Sequence, residues 1–265
     1  MSIPFDPGFD LKKMDDWQKA DDLLALAWET DSVVQKKRLA RQAMELNPKN
    51  IEAYYVLANA HSSFEKKEEF YLKGISLFKE QYDEEYFKEN KGHFWGLLET
   101  RDFMRLQADY GFALWENGNR EKAVQCLEEL LNLNPNDNQG LRYSLVNWYL
   151  FLERYADALK IIKDYKEDTA CMQYSSLFLA IKQKKTDKEI QKQFDRAVGA
   201  NPHVIPFLIH LQELPAETAD SYGYGDESEA EMYCFDAMEL WDNDEDAQKK
   251  LIELVDALID EEDLE

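Results

Sequence analysis

The sequence predicts an all-α fold made of stacked helical hairpins, and two observations support this. The 265 residues include only 10 glycines and 7 prolines, too few for the many turns of a β-sandwich or barrel. Three apolar-periodic segments also end in the dipeptide Asn-Pro, at Pro48, Pro135 and Pro202. The last two prolines are 67 positions apart (135 to 202), about twice a 34-residue hairpin period.

The N-terminal part predicts one hairpin and the start of a second. Apolar periodicity indicates a helix at 21–28, a partner helix that closes at Pro48, and a third helix at 51–61. Proline cannot continue a helix and asparagine tolerates left-handed backbone, so we expect each Asn-Pro to form a left-handed cap. The stretch 80–105 then breaks the periodicity and predicts an irregular insertion.

The clearest hairpin runs from about Met104 to Pro135. Tyr110 and Gly111 place a large residue before a small one on its first helix, and Asn117-Gly118-Asn119 predicts the tight turn. Ala123 is the small residue at which the second helix crosses the first. Two further hairpins are predicted at about 139–165 and 170–202.

These residues resemble the tetratricopeptide-repeat (TPR) family over about 180 residues in five units. The resemblance implies a right-handed α-solenoid of about five hairpins with an acidic helical C-terminal cap, and an interaction protein with no particular activity. The position where the family prefers tryptophan holds Tyr54, Gln107, Arg142 and Tyr174. Residues 201–209 resemble relatives of suppression-of-tumorigenicity protein seven, and 225–230 resemble uncharacterised bacterial TPR proteins.

The chain changes character near residue 204, which predicts a repeat domain at 1–203 and an acidic helical extension at 204–265. Prolines bracket a predicted short helix at 207–214, and a loop at 221–226 precedes a helix reaching Trp241 and a final helix at about 245–259. Residues 213–265 contain 20 acidic and two basic side chains. The last fifth of the chain therefore carries −18 of the net charge of −23.

Composition excludes several functions. A net charge of −23 opposes direct binding to nucleic acid phosphates. The most apolar stretch, 204–211, contains a proline and a histidine and is far shorter than the about 20 residues that cross a membrane. The start of the chain has no secretory pattern and the three cysteines have no C-x-x-C spacing, so we expect a cytoplasmic protein with reduced thiols.

The first helix of each hairpin, helix A, lines the inner wall of such an array. On that wall we place seven candidate residues of a partner-binding groove: Arg105, Phe112, Trp115, Tyr143, Asn147, Phe151 and Lys182. Two other interpretations stay open. The aromatic residues can belong to the core, or the amphipathic tail helix with Tyr233, Phe235 and Trp241 can itself fill the groove.

Catalytic patterns are weak, so we expect no enzyme, no metal and no cofactor. No His-x-x-x-His pair or glycine-rich phosphate loop occurs. The one candidate cluster is in the insertion, where we expect ion pairs rather than catalysis: His93, Trp95, Glu99, Arg101 and Arg105. The carboxylate clamp of some TPR proteins is not expected, because Tyr55 and Tyr143 stand where that clamp needs a cation.

The sequence therefore predicts a non-enzymatic interaction scaffold that binds a peptide or protein in its concave groove. The alternative is an acidic inhibitor or mimic whose C-terminal region docks a basic, nucleic-acid-binding partner. Salt separates the two, because binding through aromatic anchors survives high ionic strength and binding through the tail weakens steeply.

Overall fold

A computed structural model describes residues 11–218 and 221–262, with side chains for 15–218 and 221–258. Every regular element in these residues is a helix, which confirms the predicted all-α class. The chain divides into two compact units, 1–139 and 140–265, and each is described by itself. The predicted lack of a secretory pattern concerns residues 1–10, which lie outside the described part.

Unit 1 is built from three helical hairpins and an insertion. Its helices are α1 (Leu11–Glu29), α2 (Val33–Leu46), α3 (Ile51–Asn59), α4 (Phe64–Gln81), α5 (Glu84–Glu89), α6 (Arg101–Glu116) and α7 (Arg120–Leu133). The A helices α1, α3 and α6 contact one another in order, and each pairs with its B helix, α2, α4 or α7. Helices α2 and α4 also contact the A helix that follows, so the hairpins form two layers that share one core.

Small residues bring the two layers together. Ala20, Ala27, Ala40 and Ala43 are fully buried between the first two helices. Gly111 lies where α6 crosses α7, and a Cβ atom built there would stand 2.5 Å from Leu127 Cδ1. The sequence predicts the close crossing at Ala123, and the Ala123 carbonyl oxygen lies 3.6 Å from the same Cβ position at Gly111.

The insertion between α4 and α6 shares an aromatic cluster with these two flanking helices. Phe78 and Phe103 stack with ring centroids 4.2 Å apart, and Phe94 lies 5.1 Å from Phe87. The Gly92 N–H donates to the Leu133 carbonyl at 2.9 Å, which links the insertion to the end of α7. The predicted irregular stretch is thus an ordered packing element, because its aromatic rings bury one another.

The predicted left-handed asparagine caps are wrong. Asn47, Asn134 and Asn201 have φ angles of −134°, −141° and −160°. Proline disfavours helical backbone at the residue before it and favours extended backbone there. Each asparagine nevertheless closes its helix, because its N–H donates to the carbonyl four residues earlier.

Unit 2 contains two hairpins and three tail helices. Its helices are α8 (Leu141–Phe151), α9 (Tyr155–Tyr165), α10 (Ala170–Lys182), α11 (Asp187–Ala200), α12 (Val204–Leu208), α13 (Glu227–Asp242) and α14 (Glu245–Glu262). The A helices here are α8 and α10, with α9 and α11 as B helices. The tail helix α13 contacts both A helices, α12 and α14.

One turn recurs after four helices along the chain. Gly118, Glu153, Lys184 and His210 have φ angles of 81°, 57°, 51° and 59°. In each case the next residue donates its N–H five positions back, as in Asn119 to Leu114 and Arg154 to Tyr149. This is the hydrogen-bond pattern of a helix C-cap with one left-handed residue. The turn at His210 ends α12 at Leu208, so the helix predicted at 207–214 is earlier and shorter than expected.

The tail folds with the second group of hairpins. Residues 204–265 belong to the same compact unit as α8–α11. Ala230, Cys234, Ala237 and Trp241 of α13 are fully buried. The predicted boundary between a repeat domain and an extension at residue 203 stays a prediction.

Candidate functional site

The side of the A helices that faces away from the B helices, called the inner face here, is covered in unit 2 by the chain itself. Helix α13 packs across α8 and α10. Ser144 Oγ on α8 donates to Asp236 Oδ2 at 2.9 Å, and the Phe178 ring on α10 meets the Trp241 ring edge-on at 5.1 Å. The tail helix therefore holds both A helices of this unit at once.

A buried carboxylate fixes the start of α13. Glu229 Oε1 accepts the N–H of Ala170, the first residue of α10, at 3.0 Å. Its Oε2 accepts from Asn201 Nδ2 at 3.0 Å and from the Gly225 N–H at 2.7 Å. The first N–H groups of a helix have no partner within the helix, so an anion placed there is favourable.

The rest of the contact is mostly apolar and closely packed. The Tyr174 and Tyr233 rings lie 5.7 Å apart, and Trp241 Nε1 donates to the Tyr233 hydroxyl at 2.9 Å. A space of about 40 Å³ lies beside Asn147 and Cys171, and Glu229 and Tyr233 of α13 also line it. Helix α13 thus packs against both A helices of this unit.

Four predicted groove residues lie in unit 2. Asn147 is buried, and its Oδ1 accepts from Ser175 Oγ at 3.0 Å. Tyr143 donates to Glu167 Oε2 at 2.8 Å, and Phe151 is half-buried. Lys182 forms an ion pair with Asp244 at the start of α14. Of these four residues, Lys182 pairs with the tail, and the hydrogen bonds given for Asn147 and Tyr143 are to residues outside it. That the tail helix fills the groove stays a prediction.

The inner face of unit 1 has a different character. Arg105, Phe112 and Trp115, the other predicted groove residues, all lie on α6. Arg105 is exposed and pairs with Asp102 at 3.3 Å, and the two aromatic side chains are half-buried. The Arg120 guanidinium lies 4.9 Å from the centroid of the Trp115 ring.

Sequence reasoning missed a polar network on α1 and α3 next to these residues. Trp28 Nε1 donates to Glu52 Oε1 at 2.8 Å, and the Trp28 and Tyr55 rings lie 5.3 Å apart. Asn59 Nδ2 donates to Asp109 Oδ2 at 3.2 Å. Because α1, α3 and α6 are distant in sequence, only the acidic and aromatic residues on exposed helix sides could have indicated this network.

The carboxyl groups of this network are partly withdrawn from water. Burial is the main cause that raises the pKa of Glu52, Asp102 and Asp109 above the ordinary values. Hydrogen bonds from Trp28 and Asn59 oppose this rise for Glu52 and Asp109, and the pKa of the Tyr55 hydroxyl is raised as well, mainly by burial. These directions indicate that negative charge is costly at these positions.

The candidate catalytic residues of the insertion make structural contacts. Arg101 Nε donates to the Trp95 carbonyl at 3.1 Å, and its guanidinium lies over the Trp95 ring. Glu99 accepts from the Tyr86 hydroxyl at 3.1 Å, and His93 is exposed. Residues 11–218 and 221–262 contain no group of three or more His, Cys, Asp or Glu side chains arranged to hold a metal ion.

The cysteines are free thiols with suppressed reactivity. Burial raises the pKa of Cys126 to about 11, and it also raises the pKa of Cys171 and Cys234. The thiolate is the nucleophilic form, so these side chains are chemically quiet at neutral pH. No helix in the described part of the chain is both long and apolar enough to cross a membrane.

The paired helices and their recurring turn define an all-α helical-hairpin protein, with one inner face covered by its own tail. Among solved structures, the chain is similar to the crystal structure of YrrB, described as a TPR protein with an unusual peptide-binding site. The two are 16% identical with a TM-score of 0.45, over 71% of this chain and 85% of that one. No family model matches the chain, and no curated protein does.

Proposed function

We propose that this protein is a non-enzymatic interaction scaffold that binds a peptide or protein on the inner face of its A helices. The observation that supports this most is the tail itself. Helix α13 contacts α8 and α10 with a carboxylate at a helix N-terminus, aromatic contacts and a serine–aspartate hydrogen bond. An A-helix face of this chain therefore has the shape and chemistry to receive a helix.

The partner-binding residues of this proposal remain the seven of the sequence prediction. In unit 1 they are Arg105, Phe112 and Trp115, on the exposed side of α6. In unit 2 they are Tyr143, Asn147, Phe151 and Lys182, where a partner would have to bind beside or replace the tail. The unit 1 residues therefore offer the more direct test.

The test is an affinity capture from native lysate with the full chain, followed by binding measurements with the purified partner. Arg105→Ala removes a cation from the inner face, and Lys66→Ala is the matched control on B helix α4. Both side chains are exposed and each pairs with a carboxylate three residues away. The proposal expects Arg105→Ala to change partner binding at high salt and Lys66→Ala to leave it unchanged. Equal effects of the two changes would contradict it.

The alternative function, docking of a basic partner on the acidic tail, has one supporting observation. Helix α13 contains six acidic residues and no basic one. Tail docking predicts that binding falls steeply with salt and that Arg105→Ala has no effect. The capture experiment therefore separates the two functions without removing the tail.

A further inference from the structure

The inner face of unit 1 combines aromatic rings with carboxylates that have few cationic partners. We propose that this face binds a basic segment of a partner protein and holds an arginine or lysine side chain beside Trp28, Tyr55 and Glu52. The inference rests on the proposed scaffold function and names the chemistry of its ligand. A carboxylate clamp holds an anionic group with cationic side chains, whereas this site holds a cationic group with anionic side chains.

Most carboxylates of this network have neutral hydrogen-bond partners. Among the described residues, the hydrogen-bond donors to Glu52, Asp21 and Asp109 are neutral: the Trp28 indole, Asn50, Asn59 and the Tyr55 hydroxyl. Asp102 differs from these three, because it has a hydrogen-bonded cation, Arg105 at 3.3 Å. The face therefore retains negative charge that a basic ligand can neutralise.

Trp28 and Tyr55 form an aromatic pair beside these carboxylates. Trp28 is 40% exposed, and its ring is inclined by 53° to Tyr55 at 5.3 Å. A cation near such rings is attracted by their π-electrons, and arginine does this most often. The Lys36 ammonium already lies 5.6 Å from the Trp28 centroid, so this indole accepts a cation from its own chain.

The third step is the location of the charges. Burial raises the pKa of Glu52 and Asp109, so their charges are poorly hydrated. A cation that binds them displaces little water from the carboxylates and gains more from each charge than it would at an open surface. Within unit 1, Lys36, Lys67 and Arg105 are the basic groups that face this network, against Asp21, Glu52, Asp102 and Asp109.

The test uses the full chain and a short, capped, fluorescent peptide of alternating alanine and arginine, followed by anisotropy. The matched peptide carries citrulline, which keeps the shape of arginine and most of its hydrogen-bond donors but has no charge. We expect the arginine peptide to bind and the citrulline peptide to bind at least about tenfold more weakly. Equal binding of the two peptides would overturn the cation inference and leave the scaffold proposal to its own capture test.

Variants then locate the site. Glu52→Gln keeps an acceptor for the Trp28 indole but removes the charge, and we expect about fivefold weaker binding of the arginine peptide. Trp28→Leu is expected to weaken it by a similar factor, and Trp28→Phe to restore much of the loss. The charge-matched controls are Glu45→Gln on B helix α2 and Glu231→Gln on tail helix α13, both expected to bind as the unchanged chain does.

The control variants also show which results would contradict the proposed site. If Glu45→Gln weakens binding as much as Glu52→Gln, attraction to the overall charge explains the result and the site is wrong. If only Glu231→Gln weakens it, the basic ligand docks on the tail, and the site on unit 1 is again overturned. Circular dichroism of each variant checks that the fold is retained.

Discussion

At the residue scale, the left-handed residue that closes a helix is the smallest repeated feature of this chain. Gly118, Glu153 and Lys184 follow A helices α6, α8 and α10, and each N–H donates to the carbonyl three residues earlier. Only one of the three is glycine, the residue that adopts this backbone without steric cost. The turn is therefore imposed by the packing of A on B helices at the other two positions.

This predicts opposite effects of two substitutions. Gly118→Ala should lower the free energy of unfolding by about 1 kcal/mol, since its φ is 81° and the left-handed conformation costs a side chain that much. A Cβ at this glycine meets nothing within 4 Å, so no clash contributes. Lys184→Gly should instead raise the free energy of unfolding by about 0.5 kcal/mol. Relief of the left-handed strain stabilises the folded chain, and the greater entropy of glycine in the unfolded chain offsets part of this gain.

Urea denaturation followed by circular dichroism measures both changes. The exposed Lys185, the next residue along the turn, supplies the control, because its φ is not positive. Lys185→Gly should not stabilise the chain. A loss of stability in Lys184→Gly equal to that in Lys185→Gly would mean that the left-handed conformation carries no strain.

At the element scale, helix α13 depends on one carboxylate. Glu229 receives hydrogen bonds from Ala170, Asn201 and Gly225, and it is 5% exposed. Its removal leaves the buried Ala170 N–H without an acceptor, whereas Asn201 Nδ2 keeps its hydrogen bond to the Asp226 carbonyl. Such a donor costs about 1–3 kcal/mol.

We therefore predict that Glu229→Ala destabilises unit 2 by about 1–3 kcal/mol. The matched control is Glu231→Ala two residues further along α13, a half-buried glutamate, which should change stability by less than about 0.5 kcal/mol. Limited proteolysis gives an independent readout, since loosening of α13 should speed cleavage in the segment 211–225. Equal protease resistance of the two variants would show that Glu229 does not anchor the tail.

At the scale of the whole molecule, the tail has two separable properties. It carries most of the net negative charge, and it buries large side chains such as Tyr233 and Trp241 against the A helices. Residues 1–212 alone have a net charge of −5. Loss of the tail would therefore expose apolar surface and remove most of the negative charge that opposes association.

A chain that ends at Leu211 should accordingly bind an apolar fluorescent dye, unfold at lower urea concentration and associate at low salt. The full chain should do none of these under the same conditions. The comparison that leaves the charge unchanged is Trp241→Ala in the full chain, which keeps every acidic residue. Its free energy of unfolding should fall by about 3–5 kcal/mol, because the substitution leaves a buried cavity. A monomeric, dye-free truncated chain would contradict the role of the tail in the core.

The sequence by itself determined the helical class and the positions of most hairpins. Apolar period, Asn-Pro endings and the Tyr110–Gly111 pair are local signals, because they reflect backbone geometry and close helix crossing within a few turns. The ends of α2, α7 and α11 follow from proline in the same way, although the asparagine before each proline is extended rather than left-handed.

Only the tertiary structure decided which helix face the tail covers and which donors hydrogen-bond to each carboxylate. Glu229 on α13 reaches Ala170 across 59 positions, and Glu52 meets Trp28 across 24. Such pairs depend on how the hairpins stack. Helical periodicity places acidic residues on an exposed side but does not predict which donor each one contacts. The amphipathic tail was visible in the sequence, but its place on α8 and α10 follows from the apolar and polar surface that those two helices present together.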